Sequence, residues 1–321
     1  MFFDSRRSTV HATNGMVATS QPLAAMAGLQ ILMKGGNAVD ASVAAAAVLN
    51  VVEPESTGIG GDMFALIRNA KDGVVHALNG SGRAPAAAAP DELLSQGFQQ
   101  IPDSGVYSVS VPGTVHGWET ILNAHGTMTL AEVLAPAIKY AEEGFPVTDI
   151  ISYQWASQAQ KLAQYPSGQE MLKNGRAPRP GEIMKLPTLA RTLRLVAEGG
   201  AEAFYTGEVA AKIASFIQEN GGWLSVDDLE SHTSDWDEPI KTDYRGVTCW
   251  ECPPNGQGVV ALEALNIVEG FDIASMGPQS SDAYHHLIEA TRLAFSDAYQ
   301  YVADPRTVSY THLPLPPSDL V

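Results

Sequence analysis

Cysteine is nearly absent: the 321 residues contain only Cys249 and Cys252, in a single C-x-x-C. Two cysteines cannot complete a four-cysteine zinc centre, and a redox pair with this spacing opens a helix whose dipole lowers the thiol pKa. Here Pro253-Pro254-Asn255-Gly256 follows and forbids that helix, while Val247-Thr248-Cys249-Trp250 reads as a strand, which sends side chains three apart to opposite faces. The pair is therefore read as structural. Basic residues are also scarce, 19 Lys and Arg against 36 Asp and Glu for a net charge of −17, so a polyanion would be repelled and nucleic acid is not an expected partner. Long apolar runs are missing too. The most apolar window, 41–52, is about 12 residues where a membrane-spanning helix needs roughly 20. The basic pair Arg6-Arg7 has no signal-length apolar stretch behind it, because His11, Asn14, Ser20 and Gln21 interrupt. A cytoplasmic location with no membrane association is the expectation. The histidines show no zinc-ligand spacing, and His285-His286 reads as surface or core packing in a late helix. No metal or cofactor motif is present, and none is expected.

What is present is a chain with 45% hydrophobic residues, enough for a substantial core. No linker, low-complexity tract or repeat divides it, so residues 1–306 read as one α/β domain. Ser20 is a candidate N-cap with Pro22 inside the first helix, which runs over Leu23–Met33 and stops at Gly35-Gly36. Asn37 or Asp40 then starts an alanine-rich helix to about Val52, ended by Glu53-Pro54. Strands are predicted at Met63–Ile67 and Gly73–Leu78, the second leading into the turn Asn79-Gly80-Ser81-Gly82-Arg83. Beyond it the chain is mostly helical, with helices expected over Leu130–Glu143, Thr188–Glu198, Gly207–Glu219, Gln257–Glu269 and Ser281–Tyr301.

The loop Thr57-Gly58-Ile59-Gly60-Gly61-Asp62 lacks the lysine and hydroxyl residue of a phosphate-binding loop. It also precedes a strand, whereas a dinucleotide fingerprint follows one. Its glycines allow a backbone with positive φ or close approach, either for packing or to line a pocket.

These motifs carry a resemblance. Asn37-Ala38-Val39-Asp40-Ala41, Glu53-Pro54, the glycine loop with Met63-Phe64, and Gly82-Arg83-Ala84-Pro85 are similar to the opening of gamma-glutamyltranspeptidases. The series continues in order through Val111-Pro112-Gly113-Thr114, Glu142-Glu143-Gly144-Phe145-Pro146, Phe204-Tyr205-Thr206-Gly207, Asp227-Asp228-Leu229 and Tyr244-Arg245-Gly246, almost to Asp304-Pro305. The resemblance implies the large-chain part of an N-terminal nucleophile hydrolase, an αββα sandwich that this chain would represent incompletely. In that family a precursor cuts itself into two chains. The first residue of the small chain, a threonine, attacks a gamma-glutamyl amide with its own α-amine as base. The expected partners are that small chain and a small-molecule substrate, a gamma-glutamyl compound or a small amide acid.

The resemblance implies no catalytic residue in this chain. Thr311 stands in a context, Tyr310-Thr311-His312, faintly like the family's cut site, but Pro314-Leu315-Pro316-Pro317 cannot build the buried strand a nucleophile there needs. The tail 307–321 reads as non-native or disordered, and Val308–Leu313 resembles one reading frame of a sequencing adapter. One substrate contact is implied in this half. Family members carry an arginine two residues before the Ala-Pro pair, where it holds the substrate α-carboxylate. Here Ser81 occupies that position and Arg83 follows two residues later. Arg83 either reaches the carboxylate or braces the turn. The Gly-Ser-Gly-Arg-Ala-Pro form, with Asp62 after the glycine pair, resembles a divergent branch that includes oxamate amidohydrolase-like members.

Overall fold

The computed structural model describes residues 8–304 and 306. Thr311 and the tail 307–321 lie outside the described residues. In chain order the elements begin with helices α1 (Pro22–Met33) and α2 (Ala38–Val52), then strands β1 (Met63–Arg68) and β2 (Val75–Gly80). Next come α3 (Pro90–Ser95), α4 (Thr114–His125), α5 (Leu130–Glu143), β3 (Phe145–Pro146), α6 (Asp149–Leu162), β4 (Ile183–Met184) and α7 (Pro187–Gly199). The chain continues through α8 (Glu202–Tyr205), α9 (Gly207–Glu219), α10 (Val226–Glu230), β5 (Asp235–Asp237), β6 (Ile240–Tyr244) and β7 (Val247–Glu251). It closes with α11 (Gly258–Glu269), α12 (Ile273–Met276) and α13 (Ser281–Tyr301). Among the described residues no helix is long and apolar enough to cross a membrane.

The chain folds into two compact units, one of 12–63 with 80–234 and one built mainly of 64–79 and 235 onward. No linker marks the division, because the chain crosses from one unit to the other within ordinary sequence at 63–64, 79–80 and 234–235.

The larger unit is helical and is organised on α2. Ala44, Ala47, Val48 and Val51 are fully buried there, and their small or β-branched side chains let α1 and α5 pack against it closely. The start of α2 is fixed by both residues the sequence proposed. Asn37 Oδ1 accepts from the amides of Val39 (2.8 Å) and Asp40 (3.1 Å), and Asp40 Oδ2 accepts from the Asn37 amide (2.7 Å). Asp40 also accepts from the Thr127 amide (2.9 Å), the Thr127 hydroxyl (2.6 Å) and the Met128 amide (3.1 Å), which ties the end of α4 to the start of α2. Ser20, by contrast, does not cap α1. Gln21 is the N-cap, without a side-chain bond, and the Ser20 hydroxyl donates instead to Glu53 Oε2 at 2.6 Å. A charged acceptor outcompetes the helix end, and Pro22 has no amide to satisfy.

In the smaller unit β1, β2 and β5 form a three-stranded sheet in that order, β2 antiparallel to β5 with Leu78 opposite Trp236. β2 runs two residues later than the sequence suggested, because its pairing with Asp235–Asp237 reaches Asn79. β6 and β7 form a hairpin, and α11 and α13 pack around Val260, Ala294 and Ala298. Cys249 lies in β7 and Cys252 just beyond it, and both are free thiols.

Glu263 on α11 and Asp297 on α13 are joined by a side-chain hydrogen bond, and burial together with the Asp297 carboxylate pushes the Glu263 pKa up to about 7. A carboxyl whose folded pKa is raised contributes stability fully below its unfolded value, near 4.5, and loses it as pH rises towards 7. Glu263→Gln is therefore expected to leave the melting temperature at pH 5 nearly unchanged and to raise it relative to wild type at pH 8. Parallel melting curves of the two proteins across that range would contradict the assignment.

Candidate functional site

Three segments that the sequence singled out separately meet in the larger unit. The glycine loop closes on itself through the Gly61 amide donating to Gly58 O (3.0 Å). Gly61 O then accepts from the amides of Gly113 (2.9 Å) and Thr114 (3.0 Å), and the Thr114 hydroxyl donates to Asp62 O (3.1 Å). The turn joins them, with the Gly82 amide donating to Asp62 Oδ1 (3.1 Å) and the Val111 amide to Arg83 O (2.9 Å). Two glycines are demanded by these crossings. A Cβ on Gly82 would lie 1.5 Å from Val111 O, and one on Gly113 would lie 1.7 Å from Gly80 O. Packing thus accounts for the glycines at 82 and 113, and Asp62 serves as a clamp between loop and turn.

Arg83 is half-buried on this turn, with Ser81, also half-buried, two residues before it. Its guanidinium donates to Ser231 O (3.5 Å) and Thr233 Oγ1 (3.4 Å), two neutral acceptors at the long limit of hydrogen bonding. Other arginines of the same unit are held quite differently. Arg176 makes two bonds of 2.8 and 2.9 Å to the Glu182 carboxylate, and Arg194 grips Glu142 in the same two-pronged way. Among the described residues no carboxylate lies within ion-pair distance of Arg83. The nearby acid Asp228 is committed elsewhere, accepting from the Ala86 amide (2.8 Å) and from the Ser225 amide (2.9 Å) and hydroxyl (2.7 Å). Burial alone would raise its carboxyl, but these donors outweigh it and hold the pKa below the usual value. Among the described residues, the turn therefore presents a half-buried cation without an anionic partner.

A polar cluster that sequence reasoning missed sits on the next turn of chain. His116 Nδ1, at the start of α4, lies 2.8 Å from Ser234 Oγ, 3.1 Å from the Ser234 amide and 3.2 Å from Thr120 Oγ1. The Tyr205 hydroxyl donates to Pro112 O (2.8 Å) and accepts from the His116 amide (3.2 Å), and its ring stacks on His232 with centroids 5.3 Å apart. Burial pushes the Tyr205 phenol pKa well up. A serine against a histidine nitrogen is a nucleophile–base geometry in outline. Here the single lone pair of Nδ1 also receives the Ser234 amide, so it is not free to act as a base towards the hydroxyl. The cluster pins the 112–116 segment beneath the turn. No local spacing could have revealed it, since His116 and Ser234 are 118 residues apart.

This mixed α/β fold is that of an N-terminal nucleophile hydrolase of the large-chain type. It matches gamma-glutamyltranspeptidase from Helicobacter pylori with a TM-score of 0.91 at 31% identity, over 97% of this chain and 91% of that one. It matches cephalosporin acylase from Bacillus halodurans with the same TM-score at 45% identity, over 99% of this chain and 60% of that one. The chain belongs to the gamma-glutamyltranspeptidase family, whose model matches residues 24–315. It is 39% identical over 96% of its length to the glutathione hydrolase-like YwrD proenzyme of Bacillus subtilis, and 35% identical over 92% to the oxamate amidohydrolase proenzyme of Klebsiella pneumoniae. The chain spans 58% and 56% of those two relatives. The family is one of gamma-glutamyl transfer and amide hydrolysis.

Proposed function

We propose that this chain is the large-chain part of an enzyme that cleaves an amide next to a carboxylate-bearing acyl group, with gamma-glutamyl compounds such as glutathione as the leading substrate class. The observation that carries the reading is Arg83, a half-buried guanidinium in the family's substrate-facing turn with only long contacts to neutral oxygens. In the proposed reaction the threonine hydroxyl of the small chain attacks the amide carbon while its α-amine takes the proton. The C–N bond then breaks and that proton leaves with the amine, forming an ester. Water or an acceptor amine attacks the ester carbon and releases the threonine. Arg83 would hold the acyl carboxylate and so fix the carbonyl in place. A second reading, a small amide acid such as oxamate, is favoured by Ser81 standing where the family's carboxylate-binding arginine is usual.

The test is to assay the full-length protein against a gamma-glutamyl anilide and against oxamate. Release of the aniline or of ammonia is expected from one of them, and release from neither would sink the proposal. Residues 1–321 alone are expected to turn over neither substrate, because the nucleophile and its base must sit side by side. Turnover lost in Thr311→Ala, or in Ser234→Ala, would instead place the chemistry within this chain.

The small chain is also the proposed partner for apolar surface on α13, where Tyr284, Ile288, Leu293 and Tyr299 are half or more exposed. Without it, residues 1–321 are expected to self-associate through such patches. Sedimentation showing a monodisperse monomer at micromolar concentration would contradict this.

A further inference from the structure

The segment 231–234, between α10 and β5, makes different contacts on its two sides, all within the larger unit. Towards the Gly80–Arg83 turn it offers Ser231 O and Thr233 Oγ1, which receive the Arg83 guanidinium at 3.5 and 3.4 Å. The intervening residues turn inwards. His232 is buried and stacks on Tyr205, and half-buried Ser234 meets His116 Nδ1 with both its amide and its hydroxyl. Ser231 and Thr233 are exposed, so burial alternates along the segment as in an extended strap whose successive side chains point to opposite sides.

One contact fixes the chemical form of the histidine. The Ser234 amide, 3.1 Å from His116 Nδ1, can only donate, so Nδ1 is the bare nitrogen and the neutral ring carries its proton on Nε2. Protonating the ring would set an N–H against an N–H and remove the acceptor that holds the end of the strap. Two titratable groups face this ring, Tyr205 from α8 (centroids 6.0 Å) and His232 from the strap itself (5.4 Å). Burial pushes the Tyr205 phenol well up, so it stays protonated wherever histidines titrate.

We propose that His116 is a positioning residue for Arg83: its bare Nδ1 holds the strap through the Ser234 amide, and the strap sets Ser231 O and Thr233 Oγ1, which aim the guanidinium. This role presupposes Arg83 as the carboxylate-binding group of the proposed reaction, and it makes that binding weaken in acid, when His116 takes up a second proton. The two contacts to Arg83 are already at the long limit of hydrogen bonding, so a small shift of the strap breaks them.

The test compares full-length wild type with His116→Asn and His116→Leu, two side chains of nearly equal size. Asparagine Oδ1 can replace Nδ1 as acceptor and does not ionise, whereas leucine offers no acceptor. With a gamma-glutamyl anilide, or with oxamate if that is the substrate turned over, His116→Leu is expected to raise KM about three- to tenfold at pH 8 with kcat little changed. His116→Asn should stay near wild type. From pH 8 to about pH 5.5 the wild-type KM should rise relative to that of His116→Asn by up to the same factor, a ratio in which titration of His232 and of the catalytic amine cancels. Equal KM in the two variants at pH 8, or a flat ratio across that range, would overturn the proposal. A crystal structure of full-length His116→Leu gives a readout without activity, in which Arg83 should have left Ser231 O and Thr233 Oγ1. An unmoved strap and guanidinium would overturn the positioning role even if KM rose. If they move while Arg83→Ala leaves KM unaltered, His116 still positions Arg83 and the carboxylate reading alone falls.

Discussion

Arg83→Ala in the full-length protein is expected to raise KM for a carboxylate-bearing substrate by about 30- to 150-fold while kcat falls much less. Removing one partner of a desolvated, hydrogen-bonded charge pair costs about 2–5 kcal/mol, and the half-exposed position of Arg83 puts it at the low end. Arg83→Lys should recover only part of the loss, because an ammonium cannot reproduce a planar two-pronged contact. If Arg83 only braces the turn, the result changes in kind. Its bonds to Ser231 O and Thr233 Oγ1 are long, so their loss would lower the melting temperature slightly and leave KM of the folded enzyme unaltered. Ser81→Arg restores an arginine at the position usual in the family. Better use of a gamma-glutamyl anilide by that variant would assign the natural enzyme a different acyl group. Loss of all activity would mean that Ser81 and Arg83 together already form the working site.

Asp40→Ala is expected to be the most damaging single change in the larger unit, costing about 3–5 kcal/mol in a denaturant melt. The carboxylate is fully buried and takes hydrogen bonds from the amides of Asn37, Thr127 and Met128 and from the Thr127 hydroxyl. Its removal leaves those buried donors unmade and unlocks the start of α2, around which the unit's core is assembled. Burial by itself would raise the Asp40 pKa, but the donors, led by the Thr127 hydroxyl, more than offset it and hold the carboxyl below the ordinary aspartate range. A depressed folded pKa means that the contribution is present above the unfolded value and is lost as pH falls through the folded one. Wild type should therefore weaken steeply below about pH 4, and Asp40→Asn, which does not ionise, should show a shallower acid slope. Thr127→Ala removes one donor and should cost only about 1–2 kcal/mol. An Asp40→Ala protein as stable as wild type would refute the structural role given to this residue.

Much of the helical framework was legible because its signals are local. α5, α9 and α13 fall where periodicity and stop residues put them, and the start of α2 was read from Asn37 and Asp40. The converse is seen at Ser20. A serine followed by Pro22 looks like a cap, yet Glu53, distant in sequence, takes its hydroxyl. β2 shifted by two residues for the same reason, since a strand ends where its partner ends and β5 is more than 150 residues away in sequence.

At the candidate site the sequence by itself singled out the pieces that meet, namely the glycine loop, the Gly80–Arg83 turn and the Val111–Thr114 segment. Its resemblance to the family also gave the expectation that Ser81 stands where an arginine is usual, with Arg83 two residues later. Only the tertiary structure decided how those pieces meet. The Asp62 clamp, the glycines that let backbones cross at Val111 and Gly80, and the His116–Ser234 pin all join residues from 20 to 118 positions apart. The physical reason is that caps and helix periodicity are written in neighbouring residues, whereas the charge balance around Arg83 depends on which distant oxygens folding brings within reach, here Ser231 and Thr233.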